Sequence, residues 1–216
     1  MNLKMRIRSF ILCLILFISA DHIYAQFYWA DLKREFTKEQ LAMANTAKKV
    51  TYMSNNEKKV IQYLNLARMF PSEFASFYKA YIMHGDSPFS YYGKQFKRKD
   101  YYCYSLYKDL LKLNNTPQLP LQPDPDLQVL ARCWAKESGR TGKIGHNRKR
   151  CHKGYFAECC GYAWTTDPMY HVLLLLVDKD VRSLGHREIM LGSYQLVGCS
   201  LEDHKGYGKV LVLDFK

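Results

Sequence analysis

Apolar positions recur with the spacing of one helical face at Val60, Ile61, Leu64 and Ala67, just after Ser54-Asn55-Asn56-Glu57. That tetrad is a capping box, in which the serine hydroxyl accepts from an early backbone N–H while the glutamate reaches back to the cap, so a helix is expected to start at Ser54. Pro71 interrupts it and suits the first turn of a second helix bearing Phe74, Phe77, Tyr78 and Tyr81. A further helix is expected over 101–113. The stretch from Asn114, with Pro117, Pro120 and Pro123, reads as an extended connection ending at the cap Asp124-Pro125-Asp126. Leu127, Leu130, Ala131 and Trp134 form the buried stripe of the helix that follows, and Gly139 and Gly142 end it. The glycine- and cysteine-rich segment 142–163 reads as irregular chain. Asp167-Pro168 caps a helix from Met169 to Asp180, whose run Val172 to Val177 leaves no polar face and implies burial on most sides. Two β-rich runs, Gln195 to Leu201 and Lys209 to Phe215, flank the turn signal Asp203-His204-Lys205-Gly206. The expected class is α+β, with helices flanking a small antiparallel sheet in a single domain. Asp31 to Thr46 reads as a helical arm leading into it.

The first 25 residues follow a different logic. Lys4, Arg6 and Arg8 precede an unbroken apolar run from Phe10 to Ile18, and Ile23-Tyr24-Ala25 ends in a small residue. This is the layout of a cleaved signal peptide, with cleavage expected after Ala25. The run is far short of the ~20 residues a transmembrane helix requires. The expected organisation is therefore a signal peptide over 1–25, an N-terminal helical arm over 26–53 and the domain over 54–216, in a secreted or periplasmic protein. The formal charge of +12 falls to +10 once 1–25 is removed, because that segment carries three basic residues and one acid. Export turns this charge away from nucleic acid and toward anionic envelope, glycan or lipid surfaces. The tightest basic clusters are Lys94, Lys97, Arg98 and Lys99, among Tyr91, Tyr92 and Phe96, and Arg148-Lys149-Arg150 with Lys153.

An oxidising compartment favours disulfides among Cys103, Cys133, Cys151, Cys159, Cys160 and Cys199. Six cysteines leave about 15 connectivities open. The vicinal Cys159 and Cys160 could tie one loop to two elements, since adjacent alpha carbons lie too close to suit a bridge between them. Cys133, in a helical pattern, could equally be a small buried hydrophobe.

Searches for familiar chemistry are negative: the chain has no His-Glu-x-x-His, no Gly-x-Ser-x-Gly, no phosphate-binding loop and no Cys-x-x-Cys. What remains is a set of polar residues beside glycines or at element ends: Gly145-His146, Ala157-Glu158, Asp178 and Gly185-His186-Arg187. With Asn65-Leu66-Ala67-Arg68, Pro71 and Phe74, Leu121 through Leu127, Val197-Gly198-Cys199 and Asp214-Phe215, these segments stand in the order found in the CAP superfamily. That superfamily groups cysteine-rich secretory proteins, insect venom antigen 5 and plant pathogenesis-related proteins, and the chain resembles its bacterial branch over roughly 57–215. Ala157 and Cys159 replace the Gly and Asn that usually flank the cavity Glu, Ser200 stands where Gly is common, and Asp178 takes the place of the second cavity Glu.

The resemblance implies a CAP-type α-β-α sandwich with a cleft built on His146, Glu158 and His186, with Asp178 as a fourth member. Imidazole nitrogens and carboxylate oxygens suit zinc or another divalent cation, and a carboxylate can also orient a ligating histidine. The same trio can equally form a hydrogen-bonded cluster that seats segment 142–163. The resemblance implies a binding module for a lipid, envelope or host ligand. A metal-assisted hydrolase or peptidase using His146, Glu158 and His186 is the alternative, and an adhesin for anionic glycan or lipid a third. His84, His152, His171 and His204 read as surface or packing residues, and Arg68 as structural.

Overall fold

The computed structural model describes residues 32–83 and 100–216. The expected signal peptide over 1–25 and the basic loop around Lys94 to Lys99 lie outside the described residues. After a helical turn over 32–35, the helices are α1 (Lys38–Ala44), α2 (Asn55–Met69), α3 (Pro71–Met83), α4 (Tyr101–Leu113), α5 (Pro125–Thr141), α6 (Pro168–Val177) and α7 (Gly185–Leu191). The strands are β1 (Gln122–Pro123), β2 (Ala157–Ala163), β3 (Leu196–His204) and β4 (Gly208–Phe215).

Local chemistry accounts for most boundaries. Ser54 and Glu57 close the expected capping box on α2, and Thr37 and Gln40 make a second one on α1. Asp124 and Asp167 cap α5 and α6 with proline in the first turn, and Gly142 ends α5 in the left-handed region. The last long helix stops earlier than its apolar pattern suggested: Val177 is its end, and Asp178 closes it in the left-handed conformation, φ 52°.

The sheet has the order β1-β3-β4-β2. β3 and β4 form the expected hairpin, and β2 pairs antiparallel with the far side of β4. The sheet is nevertheless mixed rather than purely antiparallel, because the short β1 runs parallel to β3. Segment 142–163 is likewise not irregular throughout, since its last seven residues are β2. The sequence hid this strand because both of its faces are covered, so apolar and small residues run together instead of alternating with polar ones.

Strand alternation sends Val210 and Val212 of β4 and Cys160 of β2 toward Ala131, Trp134 and Ala135 of α5. Leu211, Leu213, Phe215, Cys159 and Cys199 go to the opposite face, into the core shared with α2 and α6. Close approach of α5 to β3 depends on two bare backbones. A Cβ at Gly198 would lie 2.2 Å from the carbonyl group of Leu127, and one at Gly139 would lie 1.9 Å from the carbonyl oxygen of Asp203.

The N-terminal arm belongs to the same core, for Leu32, Phe36, Ala44 and Ala47 are buried among the residues of α2 and α6. Asn65 stitches the arm down. Its amide donates to the carbonyls of Ala44 and Leu121, and its carbonyl accepts from Leu121 N–H. One turn later the fully buried Arg68 donates to the carbonyls of Leu119, Met190, Gly192 and Tyr194. Burial without an acid pulls its pKa down to about 10.

Cys133 and Cys151 form a disulfide, so Cys133 is not a free buried hydrophobe. Cys159 and Cys160 are free thiols pointing to opposite faces of β2, and they tie no loop to other elements. Among the described residues, no helix is long and apolar enough to cross a membrane.

Candidate functional site

β2 is the edge strand beside β4, and the site is assembled around it from both faces of the sheet. On the α5 side, Glu158 shares the face of Cys160, and its cross-strand neighbour on β4 is Asp214. On the α6 side, the chain leaves the helix at Asp178 and re-enters α7 at Gly185. Asp178 and Leu184, at the two ends of this connection, both have left-handed backbones. Aspartate tolerates that conformation better than leucine does.

Arg187 fixes α7 in place. Its buried guanidinium donates to the carbonyls of Leu176, Val177 and Tyr102, to Ser105 Oγ, and to Asp109 Oδ2 at 2.8 Å. The neighbouring His186 is thereby held over the end of α6. Asp178 receives it twice: Oδ2 accepts from His186 N–H at 3.0 Å, and Oδ1 lies 2.7 Å from Nδ1.

A second carboxylate and imidazole pair faces this one. Glu158 Oε1 lies 2.8 Å from His146 Nδ1, and the two imidazole centres are 6.3 Å apart. Both Nδ1 atoms are engaged by carboxylates. The Nε2 atoms are therefore the free ring positions among the described residues. A cavity of about 240 Å³ opens beside His186, lined by Tyr162, Leu174, Lys179 and Val181 as well as Cys160 and Asp178. The structure thus brings His146, Glu158, Asp178 and His186 together at one edge of the sheet. His84 lies outside the described residues, and His152 is exposed.

Two participants escaped the sequence. Arg148, read as part of a surface basic run, is buried between Glu158 Oε2 and Asp214 Oδ1 with Tyr155 against its guanidinium. It is therefore unavailable to an adhesive surface. Asp214 is fully buried and its Oδ2 has no hydrogen-bond partner. Burial pushes its pKa up to about 6 despite the opposing Arg148. Their signal was present once the register was known, because Asp214 pairs with Glu158 across the strands and two buried acids call for a cation.

The electrostatics favour a neutral His146. Its pKa is lowered by burial first, then by Arg148 and Lys153, with Asp214 acting in the opposite sense. Cys160 Sγ lies 3.8 Å from His146 Nδ1, and burial pushes its thiol up to about 12.

His146, Glu158 and Cys160 place three donor atoms within 4.8 Å of one another. As a cation site this trio is compromised, because Glu158 already serves Arg148. The two histidines are the other pair of donors: a carboxylate fixes the Nδ1 of each ring, which leaves Nε2 for a ligand, and the ring centres lie 6.3 Å apart.

No family model, curated protein or solved structure matches the chain.

Proposed function

We propose that the chain is a divergent CAP-type domain, exported from the cell, that acts as an extracytoplasmic binding module with a divalent metal held at its histidine pair. The sandwich of α5, the sheet and the α2 and α6 layer supports the fold assignment, as do the Asn65 and Arg68 stitches and the order of the site segments. The observation that carries the metal reading is the pair of carboxylate-held imidazoles with ring centres 6.3 Å apart. His146 and His186 would hold the ion through Nε2, and Glu158 and Asp178 would set the ring orientation and raise ligand basicity. A bound divalent ion would supply Lewis acidity and a site for an oxygen or nitrogen donor of the ligand.

The test is calorimetric titration of metal-stripped protein with zinc, alongside elemental analysis. One ion per chain is expected, lost in both His146→Ala and His186→Ala. Glu158→Gln and Asp178→Asn should each weaken binding about 10- to 100-fold. Folded protein that takes up no zinc, or a His186→Ala variant that binds like the parent, sinks the metal reading.

A further inference from the structure

The end of the sheet opposite the β1 crossover carries a feature that the metal reading does not use. Three apolar side chains stand exposed there: Ile144 at 58%, Trp164 at 66% and Tyr207 at 43%. Contacts of their immediate chain neighbours and of Tyr162 bring them to one end of the sheet. Gly145 N–H donates to the Tyr162 hydroxyl at 2.9 Å, and the Tyr162 and Tyr207 rings are 5.6 Å apart. Trp164 lies against the bare backbone of Gly208, where a Cβ would meet its ring at 2.8 Å. Gly208 also has φ +73°, so glycine is favoured there both by conformation and by space. The ring is thus packed against the β3–β4 hairpin.

Cations flank two of these side chains along the sequence: Lys143 precedes Ile144, and Lys205 stands two residues before Tyr207. Lys205 N–H donates to the Gly139 carbonyl, which sets Lys205 beside Arg140, and the Lys143 carbonyl lies 3.2 Å from His204 Nε2. Arg140, Lys143 and Lys205 are exposed. Among the nearby acids, Asp203 is paired with Lys209, and Glu202 accepts from Ser200 Oγ at 3.5 Å. Tyr207 sits on the β3–β4 turn, Ile144 on the loop after α5 and Trp164 just after β2. The neighbouring groove is lined by Lys136, Arg140, Glu202, Asp203 and Lys205, with no tryptophan, tyrosine or phenylalanine in it. A sugar-binding platform needs an aromatic face beside converging polar groups inside a recess. Exposed aromatics with exposed lysine and arginine on neighbouring segments instead match the headgroup zone of a bilayer, where tryptophan and tyrosine partition and cations meet anionic lipid.

We propose that Ile144, Trp164 and Tyr207, with Arg140, Lys143 and Lys205, form a docking surface for an anionic phospholipid bilayer. Trp164 and Tyr207 enter the headgroup layer and the three cations meet lipid phosphates. The surface is distinct from the Nε2 atoms of His146 and His186, and it stands whether or not those atoms hold a metal.

The experiment is co-sedimentation of the full chain with vesicles of phosphatidylcholine alone or containing phosphatidylglycerol, with tryptophan emission and quenching by brominated lipid read in parallel. Trp164→Ser/Tyr207→Ser and Lys143→Glu/Lys205→Glu variants are compared with the parent. All carry the same N-terminus, so any membrane affinity of that segment cancels, and circular dichroism checks that each is folded. Binding is expected only with phosphatidylglycerol, with a blue shift that disappears in the tryptophan variant. The Lys143→Glu/Lys205→Glu variant should bind at least about 25-fold more weakly, at about fivefold for each basic residue lost near an anionic surface. Zinc uptake should be unchanged in every variant. Equal binding by parent and folded variants overturns the proposal. So does binding to a soluble anionic glycan without binding to vesicles, or a parent that ignores phosphatidylglycerol at low salt.

Discussion

Arg68 shows how much one side chain can carry. Its guanidinium links the end of α2 to the extended stretch before β1, to the last turn of α7 and to the chain after it, through four backbone carbonyls and no acid. Lysine has the charge but lacks the planar fork, so it would leave some of these carbonyls without donors. Arg68→Lys is expected to cost about 3 kcal/mol of unfolding free energy, measured by urea denaturation. A loss under 1 kcal/mol would mean that water replaces the guanidinium.

Two other buried residues make opposite contributions to pH dependence. His171, fully buried and held neutral, has its pKa lowered to about 4, so its contribution is present above about pH 6.5 and lost as pH falls toward 4. Asp214 has its pKa raised to about 6, so the folded state binds its proton more tightly and the cost of ionising it grows as pH rises from about 4 to 6. Each is of order 3 kcal/mol, and the two nearly cancel across that window. Asp214→Asn should remove one side of the balance. Its stability should fall more steeply than the parent's between pH 6.5 and 4, and matching slopes in the two proteins would refute the assignment.

At the scale of elements, the disulfide and the site are coupled through the chain. His146 and Arg148 both lie in the segment closed by Cys133 and Cys151. Opening a loop with a separation of 18 residues costs about 3 kcal/mol in the chain-entropy view, and that cost falls on the segment that supplies His146. Cys133→Ser/Cys151→Ser is therefore expected to lower the melting temperature and to speed proteolysis within 142–156, while α5 and the β3–β4 hairpin stay protected in hydrogen exchange. Uniform loss of protection would contradict this local role.

The elements differed in how legible they were for the same physical reason, the locality of their signals. Ser54 with Glu57, Asp124-Pro125 and Asp167-Pro168 announce helix starts by interactions within one turn, and these starts were read correctly. β2 was missed because burial on both faces removed its alternation. β1 was missed because two residues, Gln122 and Pro123, carry no period at all, and that omission concealed the parallel pairing. His146, Glu158, Asp178 and His186 were found as isolated polar residues at element ends. Arg148 and Asp214 depend on the register of β2 against β4, which no local pattern discloses.

Over the whole molecule, the site spans both faces of the sheet, and this has a thermodynamic consequence. His146 is delivered by the segment after α5 and His186 by α7, so an ion bound to both would connect the layer on one side of the sheet to the layer on the other. A ligand that binds the folded chain alone stabilises it by mass action, about 2.7 kcal/mol at 100 times its dissociation constant. Zinc at that concentration should raise the melting temperature of the parent by several degrees and leave His146→Ala and His186→Ala unmoved. The increment should fade on acidification, since protonated imidazole has no lone pair to give. His146 is already biased toward the neutral form by burial and by Arg148, so its own protonation opposes binding only below the usual histidine range. If the zinc shift persists in both alanine variants, the ion lies elsewhere in the chain. If it vanishes in His146→Ala but survives in His186→Ala, the trio of His146, Glu158 and Cys160 binds the ion on one side of the sheet, and no link between the layers exists.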